Sequence, residues 1–317
     1  MRALLASELR QRLRSRKWWV LVVLWATSLF LIMIPIRMAG ERSQRFFRGR
    51  DFDLGPLMFG SLALLVLALS CLVIPSLTAM AINGERDRGT LAVLQASLLR
   101  PLDIVLAKFF AALLTSGAFL VATVPIALWC YVEGGLPIIR VIMVYVVLFV
   151  VAAVFIALAL VASSLVRRPA MSALLAYALV GMLTIGTVIL FALMEATAPR
   201  TGPYGTTEPG ARWVALAPNP FVLLADAAPR SDPRFDDPLA SLQESVRDLR
   251  DPQPQFFEGG RRAFREFRRL QRRAPEPPPV WPTGVAIDLS LAALAVYVTT
   301  ARLRVPVRKL APGHRVA

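Results

Sequence analysis

Long apolar runs alternate with short charged gaps along the chain, and that alternation predicts most of its architecture. A helix needs about 20 apolar residues to cross a hydrocarbon core about 30 Å thick. Six runs qualify: Trp18–Ile36, Leu57–Ala81, Phe109–Val132, Val141–Leu165, Met171–Met194 and Thr283–Ala301. In lipid a single run satisfies its own backbone hydrogen bonds only as a helix. The pattern therefore predicts an all-α, polytopic membrane protein. The first run is longer than a usual signal core and is followed by Arg37-Met38-Ala39-Gly40, a poor cleavage site, so it reads as a retained span.

The gaps divide the chain further. Residues 1–17 carry Leu5, Leu9 and Leu13 at four-residue spacing, with Leu4 beside them and arginines over the remaining surface. Such a segment lies on a membrane face as an amphipathic helix. Residues 18–194 hold five spans and a charged loop, 82–108. Residues 195–282 form one long hydrophilic loop, and 283–317 the sixth span with a basic tail.

Inside the long loop, Trp213 to Asp226 is apolar but contains Pro218 and Pro220. It is too short to span and reads as re-entrant or interfacial; the rival reading makes it a seventh span. An acidic stretch follows, in which Leu239, Leu242, Val246 and Leu249 have helical spacing. A basic stretch, Arg261 to Arg273, lines up Phe264, Phe267 and Leu270. It suits lipid head groups, the acidic helix or a solvated face alike.

Charge sets the orientation. Lysine and arginine collect in cytoplasmic loops. The N-terminal tail, the second and fourth loops and the C-terminal tail carry seventeen of these residues, and the other short loops six. Both termini are thus expected in the cytoplasm. The long loop holds thirteen arginines, but the rule is weak for loops longer than about 60 residues. The formal net charge is +15, yet the basic residues flank spans, which points to lipid and away from nucleic acid. Cys71 and Cys130 both fall in apolar runs, and His314 is the only histidine. That leaves no disulfide framework, no His-ligated metal centre and no Ser-His or Cys-His nucleophile. No GxxxxGKS or GxxxxGKT string occurs, so the chain lacks a phosphate loop of its own.

The loop at 82–108 is the most informative gap. Glu85 and Arg86 close the second span, and Gly89 permits a sharp turn. Thr90 fits an N-cap, and Leu91 and Leu94 then share one face of a short helix reaching about Leu99. Pro101 fits the first turn of the next helix, and Asp103 suits its positive end. Lys108, at the membrane edge, is expected to lay its stem in lipid and reach water with its amine. The leucines of the short helix call for either a partner or the head-group layer.

This string resembles the ABC-2 type transporter permeases, which carry Glu-Arg-x-x-Gly-Thr-Leu-x-x-Leu, then Pro and Lys, after the second of six spans. Glu85, Arg86, Gly89, Thr90, Leu91, Leu94, Pro101 and Lys108 supply the pattern. The span count, the amphipathic start and Asn219-Pro220-Phe221 after the fifth span extend the resemblance over most of the chain. The departure is the 88-residue loop. The resemblance implies a permease of a bacterial cytoplasmic membrane, acting as an exporter without cofactor. Its implied partners are a second permease copy, identical or similar, and a separate ABC ATPase subunit gripping the second-loop helix. A scaffold, an assembly factor or a membrane enzyme is the alternative, and the absence of a catalytic constellation weighs against the enzyme.

Ionisable groups within spans are costly and mark function by default. Asp288 and Glu195 are therefore candidates for a translocation path, although both, like Glu133, sit close enough to a span end to reach the interface. Pro75 and Pro125 lie inside spans and each removes a helical hydrogen bond. Gly181 and Gly186 permit close helix approach.

Overall fold

The computed structural model describes residues 14–46, 53–87, 100–197, 211–229, 237–250 and 279–303, together with Ala6 and Arg10. Its helices are α1 (Arg16–Phe46), α2 (Gly55–Thr78), α3 (Asn83–Asp87), α4 (Pro101–Val132), α5 (Ile138–Leu165), α6 (Pro169–Gly181), α7 (Thr187–Ala196), α8 (Pro220–Ala227), α9 (Pro238–Arg250) and α10 (Trp281–Leu303). No strand occurs among the described residues. Six helical segments are long and apolar enough to cross a membrane: Trp18–Ser43, Gly55–Arg86, Pro101–Val132, Ile138–Leu165, Pro169–Ala196 and Trp281–Leu303. The all-α, six-span expectation is met.

Several helices start where a proline makes starting cheap. Pro101, Pro169 and Pro220 each occupy the first turn, where the missing N–H would have had no partner. The tight link between α4 and α5 turns on Gly134 and Gly135, at φ +87° and +70°. Only glycine holds that region without strain.

α5 forms the centre. It packs against α2, α4, α6, α8 and α10, and its half from Val151 to Ala162 is almost continuously buried. α1 lies at the edge and commits one stripe, Trp25, Leu29 and Met33, at helical spacing. Trp25 meets Phe119 edge to face at 5.5 Å between centroids. The sixth span, α10, buries a second stripe, Gly284, Asp288, Ala292, Ala295, Thr299 and Leu303.

Cross-links sort the helix ends into two groups. Asn83, Ser163 and Ser172 meet at one end, which also carries the start of α1. Arg37, Glu133, Arg140 and Asp237 meet at the other. We call these the basic end and the loop end.

The structure lengthens the first helix, starts the third at its proline and excludes the rival seventh span. The first helix does not stop near Ile36 but continues to Phe46. Arg37 bonds both Glu41 (2.5 Å) and Glu133 (2.7 Å), which supports the extra turns. The third starts at Pro101, as the proline predicts, and so precedes the apolar run from Phe109. Trp213–Asp226 is not a seventh span: it forms a 3-10 turn, Ala211–Ala215, and the short helix α8, packed against α5 and α10. The acidic stretch does form a helix, α9, while the stretch Arg261 to Arg273 lies outside the described residues.

The fifth span is also not a simple helix. Between α6 and α7 it makes a π-helical turn, Met182–Gly186. Such a turn inserts one residue of slack and frees a backbone group for other partners.

Candidate functional site

The second span breaks before it ends. α2 stops at Thr78, residues 79–82 turn, and α3 adds one short helical piece. A broken helix exposes backbone groups that must find partners. Here the neighbours supply them. Ser163 of α5 accepts the N–H groups of Ile82 and Asn83, both at 3.2 Å. Ser172 of α6 donates its hydroxyl to the Ala79 carbonyl at 2.7 Å. The end of the second span is thereby fastened to the fourth and fifth.

Within this frame the motif residues separate into two sets. Glu85 Oε1 accepts from Lys108 Nζ at 2.5 Å, joining the second span to the third. Arg86 donates to Asn83 Oδ1 at 3.1 Å, and Pro101 opens α4 as expected. Gly89, Thr90, Leu91 and Leu94, and the helix expected to reach Leu99, lie outside the described residues. The Lys108 expectation needs correction. Its side chain is 4% exposed and does not reach water; it is turned inward onto Glu85. The attraction of a carboxylate this close offsets hydration that the amine gives up. Removing one member of a buried pair costs about 3–5 kcal/mol.

The loop end holds a second set of polar contacts. Arg140, 1% exposed, donates to Asp237 Oδ2 at 2.5 Å and to the Pro229 carbonyl. Asp237 also caps α9 by accepting the Leu239 N–H at 3.0 Å. Gly60 makes room for it, since a Cβ there would lie 2.5 Å from Asp237 Oδ1. Asp226 accepts the N–H groups of Val280 (2.6 Å) and Trp281 (2.8 Å) at the start of α10. Negative charge is favourable there because a helix start is positive.

Asn219 is the most connected of these residues. Its Oδ1 caps α8 by accepting from Phe221 (2.9 Å) and Val222 (3.3 Å). Its amide donates to the Thr184 carbonyl (2.6 Å) and to Thr187 Oγ1 (2.8 Å). Thr184 lies in the π-turn, so the segment after the fifth span is bolted to the irregular part of that span. Sequence reading singled out Asn219-Pro220-Phe221 only through resemblance. An Asn followed by Pro before an apolar run is also an N-cap signal, but nothing local announces its hold on Thr184.

The two candidate path residues are not brought together. Glu195 ends α7, is 39% exposed and meets Arg212 at 3.4 Å. Asp288 does not reach the interface as expected; it is 1% exposed, on the buried stripe of α10. No bond joins the two. Arg140, Asp226 and Asp237 escaped notice because their partners lie 54 to 97 residues away.

An apolar groove of about 1060 Å³ opens between the first, third and fourth spans, lined among others by Trp18, Val121, Leu128, Tyr145 and Phe149. Among the described residues no cluster of His, Cys, Asp or Glu is placed to hold a metal ion.

A family model described as ABC-2 family transporter protein matches residues 2–300 of the chain. No curated protein shows a significant match.

Proposed function

The chain belongs to the ABC-2 family of transporter proteins, and from that premise we propose that it is the permease subunit of an ATP-driven exporter, moved by a separate ATPase. The observation that carries this reading is the Glu85–Lys108 pair, with the lysine buried. It ties the two flanks of residues 88–99, so that force on that loop reaches the second and third spans together. Ser163 and Ser172 pass the displacement to the fourth and fifth.

In this reading the basic end faces the cytoplasm of a bacterium. The seventeen basic residues counted at that end support the assignment. Thr90 to Leu99 is the coupling helix, seated on the ATPase with Leu91 and Leu94 as its apolar contacts. Residues 1–17 rest on the membrane surface. The chain has no phosphate loop, so hydrolysis falls to the partner. A second permease, identical or similar, completes the pathway. Closure of two ATPases drives the inner ends of the spans together and opens a route toward the loop end. Glu195 stands at the rim of that route and Asp288 beneath it. The apolar groove takes lipid chains.

The test is co-purification from membranes with candidate ABC ATPases, repeated with Gly89→Asp, Thr90→Lys and Leu94→Glu. The variants are expected to lose the ATPase while keeping their folded elution profile. A complex that survives all of them, with transport intact, removes the coupling-helix assignment. Cysteine labelling checks the orientation: Ser241→Cys should react from outside and Val307→Cys from inside. Reaction of both from one face refutes it.

A further inference from the structure

Among the described residues, no cation is paired with the Asp288 carboxyl group. It lies in the sixth span, 1% exposed, and its Oδ1 has no hydrogen-bond partner. It stands seven residues past the helix start at Trp281, or about 10 Å into the membrane at about 1.5 Å per residue.

The helices packed most extensively on α10 are α4, α5 and α8, and its Ile287 also packs on a cluster that includes Phe191 of α7 and Val246 of α9 and that Trp213 of the 3-10 turn joins. Their titratable groups include Asp103, Lys108, Cys130 and Tyr131 on α4, Arg140 and Tyr145 on α5, Asp226 on α8, Glu195 on α7, Glu244 on α9 and Arg212 in the 3-10 turn, where Arg212 meets Glu195. Lys108 is committed to Glu85, Arg140 to Asp237, Tyr145 to Thr123 and Asp226 to the start of α10. None of these groups pairs with Asp288. An isolated carboxylate in such a place is costly unless something compensates its charge.

What seals it is visible one turn toward the loop end. Gly284 lies on the same face of α10, and a Cβ there would sit 2.1 Å from the Ala217 carbonyl and 2.9 Å from Leu223. The segment 211–229 therefore closes down on α10 just above Asp288. That segment is held by Asn219 on the fifth span, by Asp226 on the start of α10 and by Arg140 on the Pro229 carbonyl, and its Leu223, Leu224 and Ala225 are packed in the core. Of these holds, the polar ones are open to replacement by water.

We propose that Asp288 is a proton-binding site, which keeps its proton while segment 211–229 seals the loop end and releases it to water when that segment lifts. The step breaks the carboxyl O–H bond, passes the proton to water and leaves a carboxylate. By linkage, high pH favours the lifted form. The inference rests on the six-span fold and not on an ATPase partner, so either can fail without the other.

The experiment uses the full chain in lipid nanodiscs. Dicyclohexylcarbodiimide partitions into lipid and converts neutral carboxyl groups there into stable N-acylureas, located by peptide mass spectrometry. Asp288 is expected to carry the adduct at pH 6.5, with several-fold less at pH 9, and a water-soluble carbodiimide is expected to leave it untouched. Asn219→Ala, which loosens the segment, should lower the lipid-soluble labelling and admit the water-soluble reagent. A second measurement does not depend on that variant folding: the melting temperature of wild type should fall relative to Asp288→Asn between pH 6 and pH 9. An unlabelled Asp288 in wild type, equal reaction with both reagents, or a melting difference that ignores pH would each overturn the proposal.

Discussion

Lys108→Met is the most direct test of the joint between the second and third spans. Methionine keeps the length of the stem and removes the charge. The Glu85 carboxylate, 18% exposed, then loses the cation 2.5 Å away. Breaking a buried pair costs about 3–5 kcal/mol, and the residual exposure of Glu85 places the expectation near the lower bound. Glu85→Gln should cost a similar amount, because it removes the carboxylate charge beside a lysine that is 4% exposed. The double variant decides the matter. Replacing both charges by neutral groups is often neutral or stabilising, so Glu85→Gln with Lys108→Met should recover most of the loss. The assay is thermal unfolding in detergent, followed by tryptophan fluorescence and by the folded fraction remaining after heating. Additive losses in the double variant would refute the pairing. Recovery of stability without recovery of transport would show that the charges do more than hold the helices.

Further expectations follow from other contacts. Arg140→Met should take the buried cation from Asp237, destabilise by about 3–5 kcal/mol, and speed proteolysis of residues 230–260, measured by mass spectrometry of the cleavage products. Ser163→Ala removes the acceptor for two buried amides and should cost about 1–3 kcal/mol, with faster hydrogen exchange at Ile82 and Asn83. Gly284→Ala forces a Cβ against the Ala217 carbonyl and should cost about 1–3 kcal/mol. Gly181→Ala meets nothing within 4 Å and should leave the melting temperature unchanged or slightly higher, as Ala is the better helix former by about 1 kcal/mol.

Hydropathy is a one-dimensional signal, and it read what is one-dimensional here. The six spans, the start of a helix at Pro101 and the helix from Pro238 all follow from local composition. Helix ends were less legible. Once outside hydrocarbon, a helix continues or stops according to its polar contacts, and α1 continues because Arg37 finds Glu41 and Glu133. Lys108 illustrates the larger gap. Its position at a membrane edge predicts an amine in water, and only the fold brings Glu85 to it across 23 residues. Asp288 was misjudged for a related reason. Its place near a helix start predicts a carboxyl within reach of water, and only the fold puts it on the buried face of α10. The contacts of Asn219 depend on a π-turn whose sequence, Met182 to Gly186, carries no feature that announces it.

The third span has a consequence in its length. Its 32 residues reach about 48 Å at about 1.5 Å per residue, or about 45 Å with an ordinary tilt of about 20°. The hydrocarbon core takes about 30 Å of that. Trp129 bonds Glu133 at the loop end, as an aromatic at a membrane boundary would. Most of the surplus therefore emerges at the basic end. Pro101, seven residues before Lys108, stands about 10 Å outside the hydrocarbon at about 1.5 Å per residue, just past a head-group layer of about 5–8 Å, while Lys108 sits near the boundary itself. The span is a pier: its footing is the salt bridge at the waterline, and its deck is held clear of the lipid, where a water-soluble machine can reach it without touching the membrane.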